Sequence, residues 1–192
     1  DDENTEDIDD ALSMEETDGG GMTIGIHIAN VAALVQKWGD ADEEASKRGE
    51  TIYLPEKRIH MFPPDFIRER LSLVENTERL SLSLMVSVDQ ALSLKGTEFV
   101  ASVIRVRRNM TYKEGTEYFL NDPVGMRMRE FALRLRSSRL EAGALIVQLP
   151  QLKVRTGEGG AISIEKNPMN SEAHVVVAEM MILMNRTAGK FL

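Results

Sequence analysis

Leu80-Ser-Leu-Ser-Leu-Met-Val-Ser-Val88 alternates apolar and polar side chains almost perfectly, which is the mark of a β-strand with one buried face. A second run follows at 98–107, where Val100, Ser102, Ile104 and Val106 share one face and Arg105 and Arg107 point the other way, beside Arg108. Together they predict an antiparallel hairpin joined near Lys95-Gly96. Upstream, Met22-Thr-Ile-Gly-Ile-His-Ile28 follows the turn signal Asp18-Gly-Gly-Gly21 and reads as another strand. Residues 40–48 carry acids early and Lys47 and Arg48 late before Gly49, the charge order of a short helix. Residues 51–54 form a brief strand stopped by Pro55, and Pro63-Pro64 opens a loop or a first helical turn. Downstream, 124–142 reads as a helix rich in Met, Leu and Arg. Short strands are expected at 144–148, 152–155 and 161–165, divided by Pro150 and a turn at 157–160. A long apolar helix at 171–190, capped by Ser171, completes the pattern. The expected fold is α+β, a mixed, largely antiparallel sheet flanked by helices, in one domain over 1–192 with no repeat and no linker.

Composition narrows the function. The 192 residues are 42% hydrophobic, enough for one domain with a sizeable core. The formal charge of −8 is unevenly spread: residues 1–18 hold ten acids and no base, which leaves 21 acids against 23 bases elsewhere. An acidic pocket in a neutral-to-basic body suits a substrate that arrives with metal ions and rests its phosphates on cationic walls. Without cysteine there is neither a disulfide framework nor thiolate chemistry. The apolar stretches 175–178 and 180–184 are far too short to span a bilayer, and nothing resembles a signal peptide, so a cytoplasmic protein is expected. The chain starts on an Asp and stops inside a helix-like pattern, which reads as part of something longer.

The acid-rich start, Asp1-Asp-Glu-Asn-Thr-Glu-Asp-Ile-Asp-Asp10, is where the chemistry concentrates. Adjacent Asp9 and Asp10 can diverge onto two ions, or onto one ion and a water, and Asp7 shares a face with Asp9 if the segment is extended. Mg²⁺ takes such carboxylates while keeping several waters. Two blander readings compete. A run of one charge is usually a solvated tail, but Ile8, Ala11 and Leu12 interrupt this one with apolar residues that a tail does not need. An EF-hand loop fails, because Ala11 stands where an oxygen ligand belongs and the required Gly and Glu are missing.

Residues 1–13, then His27-Ile-Ala-Asn-Val31, then Arg48-Gly-Glu-Thr-Ile-Tyr-Leu-Pro55, resemble the catalytic (RNB) domain of the ribonuclease II/ribonuclease R family. That family's hallmark is an Asp, five residues, Asp, one residue, then Asp-Asp-Ala, and here Asp1, Asp7, Asp9, Asp10 and Ala11 stand in that order. Met61-Phe-Pro-Pro64, Leu71-Ser72, Arg79-Leu-Ser81, Met110-Thr-Tyr112 and Glu179-Met-Met-Ile-Leu-Met-Asn185 match in register, so the resemblance spans essentially the whole chain. Asn30 stands where the family usually has Asp, and Ala178 precedes Glu179 where it usually has two adjacent acids. The family's domain continues past residue 192 into an Arg-rich segment.

The resemblance implies a 3′→5′ exoribonuclease that hydrolyses single-stranded RNA with Mg²⁺ and releases nucleoside 5′-monophosphates. One or two ions are implied, with Mn²⁺ as a substitute. Asp1, Asp7, Asp9 and Asp10 would hold the metal and orient a water for in-line attack, with no separate strong base. Tyr53 would stack on a base near the RNA 3′ end, an interaction that tolerates any sequence. Tyr112 would line the sugar region, with core packing as its other reading. Glu179, a lone acid in an apolar helix, is functional or paired with an arginine. Arg105 and Arg107 would contact phosphate unless they only decorate an exposed strand face. His27 reads as a satisfied structural histidine, and the methionines of 180–184 as core filler. An RNA-binding module of the same fold without turnover is the competing reading. A metal-dependent glycosyltransferase is disfavoured, since no Gly-rich nucleotide loop precedes the acids.

Overall fold

The alternating runs pair as strands, and their register sets where the acids at the start of β1 point. The computed structural model describes residues 5–54, 57–147, 151–156, 162–167 and 171–191. β1 (Asp10–Glu16) turns into β2 (Met22–Ala29), followed by helix α1 (Asp40–Arg48) and the two-residue strands β3 (Ile52–Tyr53) and β4 (Arg58–Ile59). A single turn, α2 (Pro64–Phe66), widens through Ile67–Leu71 and leads to β5 (Glu78–Val88) and β6 (Leu94–Arg105). Helices α3 (Tyr112–Asn121) and α4 (Pro123–Glu141), strands β7 (Gln151–Thr156) and β8 (Ile162–Asn167), and helix α5 (Glu172–Phe191) complete the order. β1, β2, β5 and β6 form one antiparallel sheet in that sequence, while β3–β4 and β7–β8 are separate hairpins. A lone parallel bridge joins Glu75 and Val106. The fold is α+β, as the alternation and helical periods predict.

Burial explains the layering. Ile24 and Ile26 of β2 and Leu84 and Val86 of β5 project from one sheet face into Phe119 of α3, Phe131 of α4, and Val176 and Met180 of α5. Each such side chain gains about 1.5–3 kcal/mol from leaving water, so this layer fixes the strands on which the acids sit. α4 and α5 are also tied by a bidentate pair, Arg139 Nη2 to Glu179 Oε1 at 2.6 Å and Nε to Oε2 at 3.0 Å. Asp122 caps α4 by accepting from the backbone N–H groups of Val124 and Gly125.

Two sequence expectations shift, and two elements appear where none was assigned. The β5–β6 turn lies at residues 89–93, not at Lys95-Gly96, which are inside β6. There Asp89 Oδ1 accepts from Ser93 N at 2.8 Å, while Leu92 adopts φ 58° and drops into the core. β1 is a strand that the charge run disguised. α3 lies where the sequence reading assigned no element, and its start is written in Thr111-Tyr-Lys-Glu114, a capping box in which Thr111 Oγ1 accepts from Glu114 N and Glu114 Oε2 accepts from Thr111 N. Residues 144–147 are not a strand; they follow the C-terminal turn of α4, where Gly143 takes φ 92° and Ala144 N donates to Arg139 O. Pro150 and the 157–160 turn lie outside the described residues.

The second sheet face is polar yet largely buried. His27, only 7% exposed, lies across Gly25, where a β-carbon would overlap its ring. Its Nε2 shares a hydrogen bond with Ser13 Oγ at 2.9 Å and its Nδ1 with Ser83 Oγ at 2.6 Å, and Ser83 and Ser81 continue to Ser102. Burial holds the imidazole below its ordinary value of 6.5. The unfolded chain therefore takes up a proton near that pH while the folded chain does not, and stability is lost as pH falls through it. We predict that the urea midpoint drops further between about pH 7.5 and about pH 5.5 in the wild type than in His27→Asn. Equal drops would place the acid sensitivity elsewhere.

Candidate functional site

The acidic segment enters β1 with its backbone clamped on both sides. Ile8 N donates to Ser72 Oγ at 3.0 Å, Leu73 N donates to Ile8 O at 2.9 Å, and Ala29 N donates to Asp9 O at 2.9 Å. Arg79 supports the clamp from behind, its Nε on Ser72 O at 3.0 Å and its Nη2 on Arg68 O at 3.1 Å. Ser72 and Arg79, both within the motifs quoted above, thus work by fixing the path of residues 8 and 9.

Register then separates the carboxylates. Asp10 stands opposite Ile28 and Ala11 opposite His27, so Asp10 lies on the helix side of the sheet and Asp9 on the other. Asp7 and Asp9 line a cavity of about 900 Å³ together with Lys37, Asp42 and Thr51. Asp10 lines a different one, of about 410 Å³, with Arg108, Asn109 and Tyr112. Asp1 lies outside the described residues. Among the described residues, no three acidic or imidazole side chains already form a cage for an ion.

The electrostatics bear on what would bind there. Burial, followed by the charges of Asp7 and Asp10, pushes the Asp9 carboxyl above its ordinary 3.8. Burial likewise raises Asp10. Partly desolvated carboxylates that repel one another are the hard-oxygen donors that a hard divalent cation relieves of both penalties. Asp7, Asp9 and Asp10 therefore fit Mg²⁺ or Mn²⁺ in donor chemistry.

Tyr53 is joined to the same acids. It sits 60% exposed on the β3–β4 hairpin, and its hydroxyl donates to Asp7 Oδ2. That hydrogen bond, then burial and the charges of Asp7 and Asp9, push the phenol up to about 12, so it remains a donor at neutral pH. The hairpin is held by Arg58 on Glu6 at 3.5 Å, by Arg48 Nη1 on His60 O at 2.7 Å, and by Met61 N on Thr51 Oγ1 at 3.1 Å. A phenol tip bound to a carboxylate leaves the ring faces as the part available for stacking.

The other predicted residues fall in different places. Tyr112 opens α3 on the wall of the Asp10 cavity and stacks on His174, with ring centroids 3.6 Å apart and planes 9° from parallel. Glu179, 4% exposed, is the partner of Arg139 between two helices. Arg105 pairs across the sheet with Glu78 at 2.8 Å, and Arg107 is exposed just beyond β6. Asn30 caps a helical turn by accepting from Ala33 N at 3.1 Å, a task for which its amide oxygen suffices. Asn109 was not anticipated. It shares the Asp10 cavity while its side chain donates to Leu73 O and accepts from Glu75 N, and the sequence offers no local signal for it.

Comparison with known proteins adds the family. The RNB domain family matches residues 1–192. Ribonuclease R of Aquifex aeolicus is 30% identical over 200 residues, covering 98% of this chain, and the chain spans 28% of that protein's length. Among solved structures, Mycoplasma genitalium RNase R in complex with ribose-methylated single-stranded RNA superposes with a TM-score of 0.85 at 18% identity, over 97% of this chain and 31% of that one. Yeast Ssd1, described as a pseudonuclease, superposes with a TM-score of 0.72 at 19% identity, over 93% of this chain and 23% of its own. With the family matched from end to end, the chain belongs to the RNB domain family.

Proposed function

We propose that residues 1–192 are part of the catalytic domain of a Mg²⁺-dependent exoribonuclease that shortens single-stranded RNA from its 3′ end and releases nucleoside 5′-monophosphates. The observation that carries this reading is the junction of Tyr53 with Asp7, on a backbone clamp that also fixes Asp9 and Asp10. It brings a base-stacking ring and metal-binding carboxylates into one assembly, as the end of an RNA strand requires. Family membership over the full chain supports the same substrate class.

Asp7, Asp9 and Asp10, with Asp1, would hold one or two ions, Asp7 and Asp9 from one side of the strand and Asp10 from the other. When bound, a divalent ion polarises the phosphoryl oxygen and lowers the pKa of a water, which makes a strong side-chain base unnecessary. The chain's own residues bind and position. Tyr53 presents its ring to the terminal bases while its hydroxyl keeps Asp7 in place. Arg108, Tyr112 and Asn109 line the cavity behind Asp10, where a sugar and its phosphate would meet a cation and hydrogen-bonding groups. Arg105 and Arg107 would meet phosphate only further along the strand.

A second reading has a specific support: the Ssd1 pseudonuclease shares this fold, so an RNA-binding module without turnover is the alternative. One substitution separates the two. Asp9→Asn should abolish release of mononucleotides from single-stranded RNA while leaving the Kd for RNA within about threefold. Near-normal turnover in that variant would refute the metal role. Tyr53→Ala should lengthen the terminal products and weaken binding by roughly 1–3 kcal/mol, and unchanged product lengths would refute stacking.

Stability reports on the acids independently. A carboxyl whose ionised form the fold disfavours stabilises the protein when it is neutralised. In EDTA, Asp9→Asn and Asp10→Asn should therefore melt above the wild type. Mg²⁺ at a hundred times its Kd should then stabilise the wild type by about 2.7 kcal/mol and the variants by far less. An equal Mg²⁺ response in all three proteins would place the ion elsewhere.

A further inference from the structure

Trp38 is the chain's single tryptophan, and its placement is not explained by folding. It is 77% exposed, so it contributes almost nothing to the core. It also holds φ 64° in the turn Gln36-Lys-Trp-Gly39, closed by Gly39 N donating to Gln36 O at 3.0 Å. Glycine takes that position in a turn without strain, whereas a bulky side chain does not. The conformation is nevertheless held firmly, because Trp38 N donates to Asp42 Oδ2 at 2.8 Å in the first turn of α1. A strained backbone therefore displays a large ring to solvent.

Its neighbours indicate what the ring meets. Lys37 Nζ lies 5.0 Å from the ring centroid, a cation–π distance. Lys37 and Asp42, the residues that flank and anchor the indole, both line the cavity containing Asp7 and Asp9. Tyr53, the other strongly exposed aromatic on these elements, is bonded to Asp7 at that cavity. An exposed indole beside an ammonium group is the combination that grips single-stranded nucleic acid, with stacking for a base and charge for its phosphate. A protein-docking hot spot would instead be expected to join its aromatic to a wider apolar patch. Here lysine, aspartate and glycine flank it in sequence, and the neighbouring apolar groove of Leu34, Val35, Pro63 and Phe66 does not include the indole.

We propose that Trp38, with Lys37, is a second base-stacking platform for single-stranded RNA, set at the rim of the Asp7–Asp9 cavity. This rests on the RNA reading above and makes Trp38 a substrate-positioning residue, not a catalytic one. It supplies an aromatic contact in addition to Tyr53 from a part of the chain where no motif marked one.

Because the tryptophan is unique, its emission reports the contact directly. A fluorescein-labelled oligoadenylate is titrated into the chain in EDTA, which keeps the RNA intact, and anisotropy and tryptophan emission are followed together. We expect quenching that tracks the binding curve, and no quenching by an oligomer of the same length whose bases are removed. Trp38→Ala should raise Kd about tenfold, and Trp38→Phe should stay within about twofold of the wild type. Trp38→Gly should lose the same affinity while melting no lower than the wild type, because the turn strain is gone. Binding by anisotropy with unchanged emission and an unchanged Kd for Trp38→Ala would overturn the proposal and leave Trp38 to a protein partner. Absence of any anisotropy change would overturn both this proposal and the RNA reading beneath it.

Discussion

The antiparallel pairing of β1 with β2 is the constraint on which the candidate site depends. A strand turns successive side chains to opposite faces, so the Asp10–Ile28 register determines that Asp9 and Asp10 diverge and that Asp7 rejoins Asp9. A slip of one residue would exchange the two cavities and push Leu12 and Met14 away from the core they now pack against. The hydrophobic alternation of β2 and β5 thus protects the geometry of the acids. Ser72, Leu73 and Ala29 complete the restraint by hydrogen-bonding the backbone just before the strand begins.

That restraint holds the acids where they are least comfortable. Desolvation raises the carboxyl pKa of both Asp9 and Asp10, and the charges of Asp7 and Asp10 raise Asp9 further. An unforced segment of ten acids in eighteen residues would spread into water. Strain of this kind is usual where a protein waits for a charged partner. The hydrogen bond from Tyr53 to Asp7 ties the exposed Tyr53 ring to the carboxylates. Lys37, next to the strained Trp38, and the electrostatically penalised Asp9 line one cavity, around which local cost is tolerated.

Much of this was legible in the residues. Period-two alternation located β2, β5 and β6, charge order located α1, and the spacing of Asp7, Asp9 and Asp10 singled out the acids that line the two cavities. β1 was hidden because a strand carrying several acids imitates a solvated tail, and only its partner β2 makes it a strand. The β5–β6 turn was misplaced because Lys95-Gly96 looks like a turn, while the Asp89 side chain closes one earlier. α3 was overlooked although its capping box was in plain sight. Glu179 could be read as functional or as half of an ion pair, and only the approach of α4 to α5 brings Arg139 to it. Asn109 and Trp38 gave no sequence signal, since their meaning lies in which cavity they adjoin.

The most direct test of the central claim counts ions at the acids. Mn²⁺ titrated into the protein and followed by electron paramagnetic resonance should show saturable binding. That binding should weaken at least about tenfold in Asp9→Asn and in Asp10→Asn, and stay unchanged in Glu15→Gln, further along the same strand. Equal Mn²⁺ binding by all four proteins, or none by the wild type, would contradict the account.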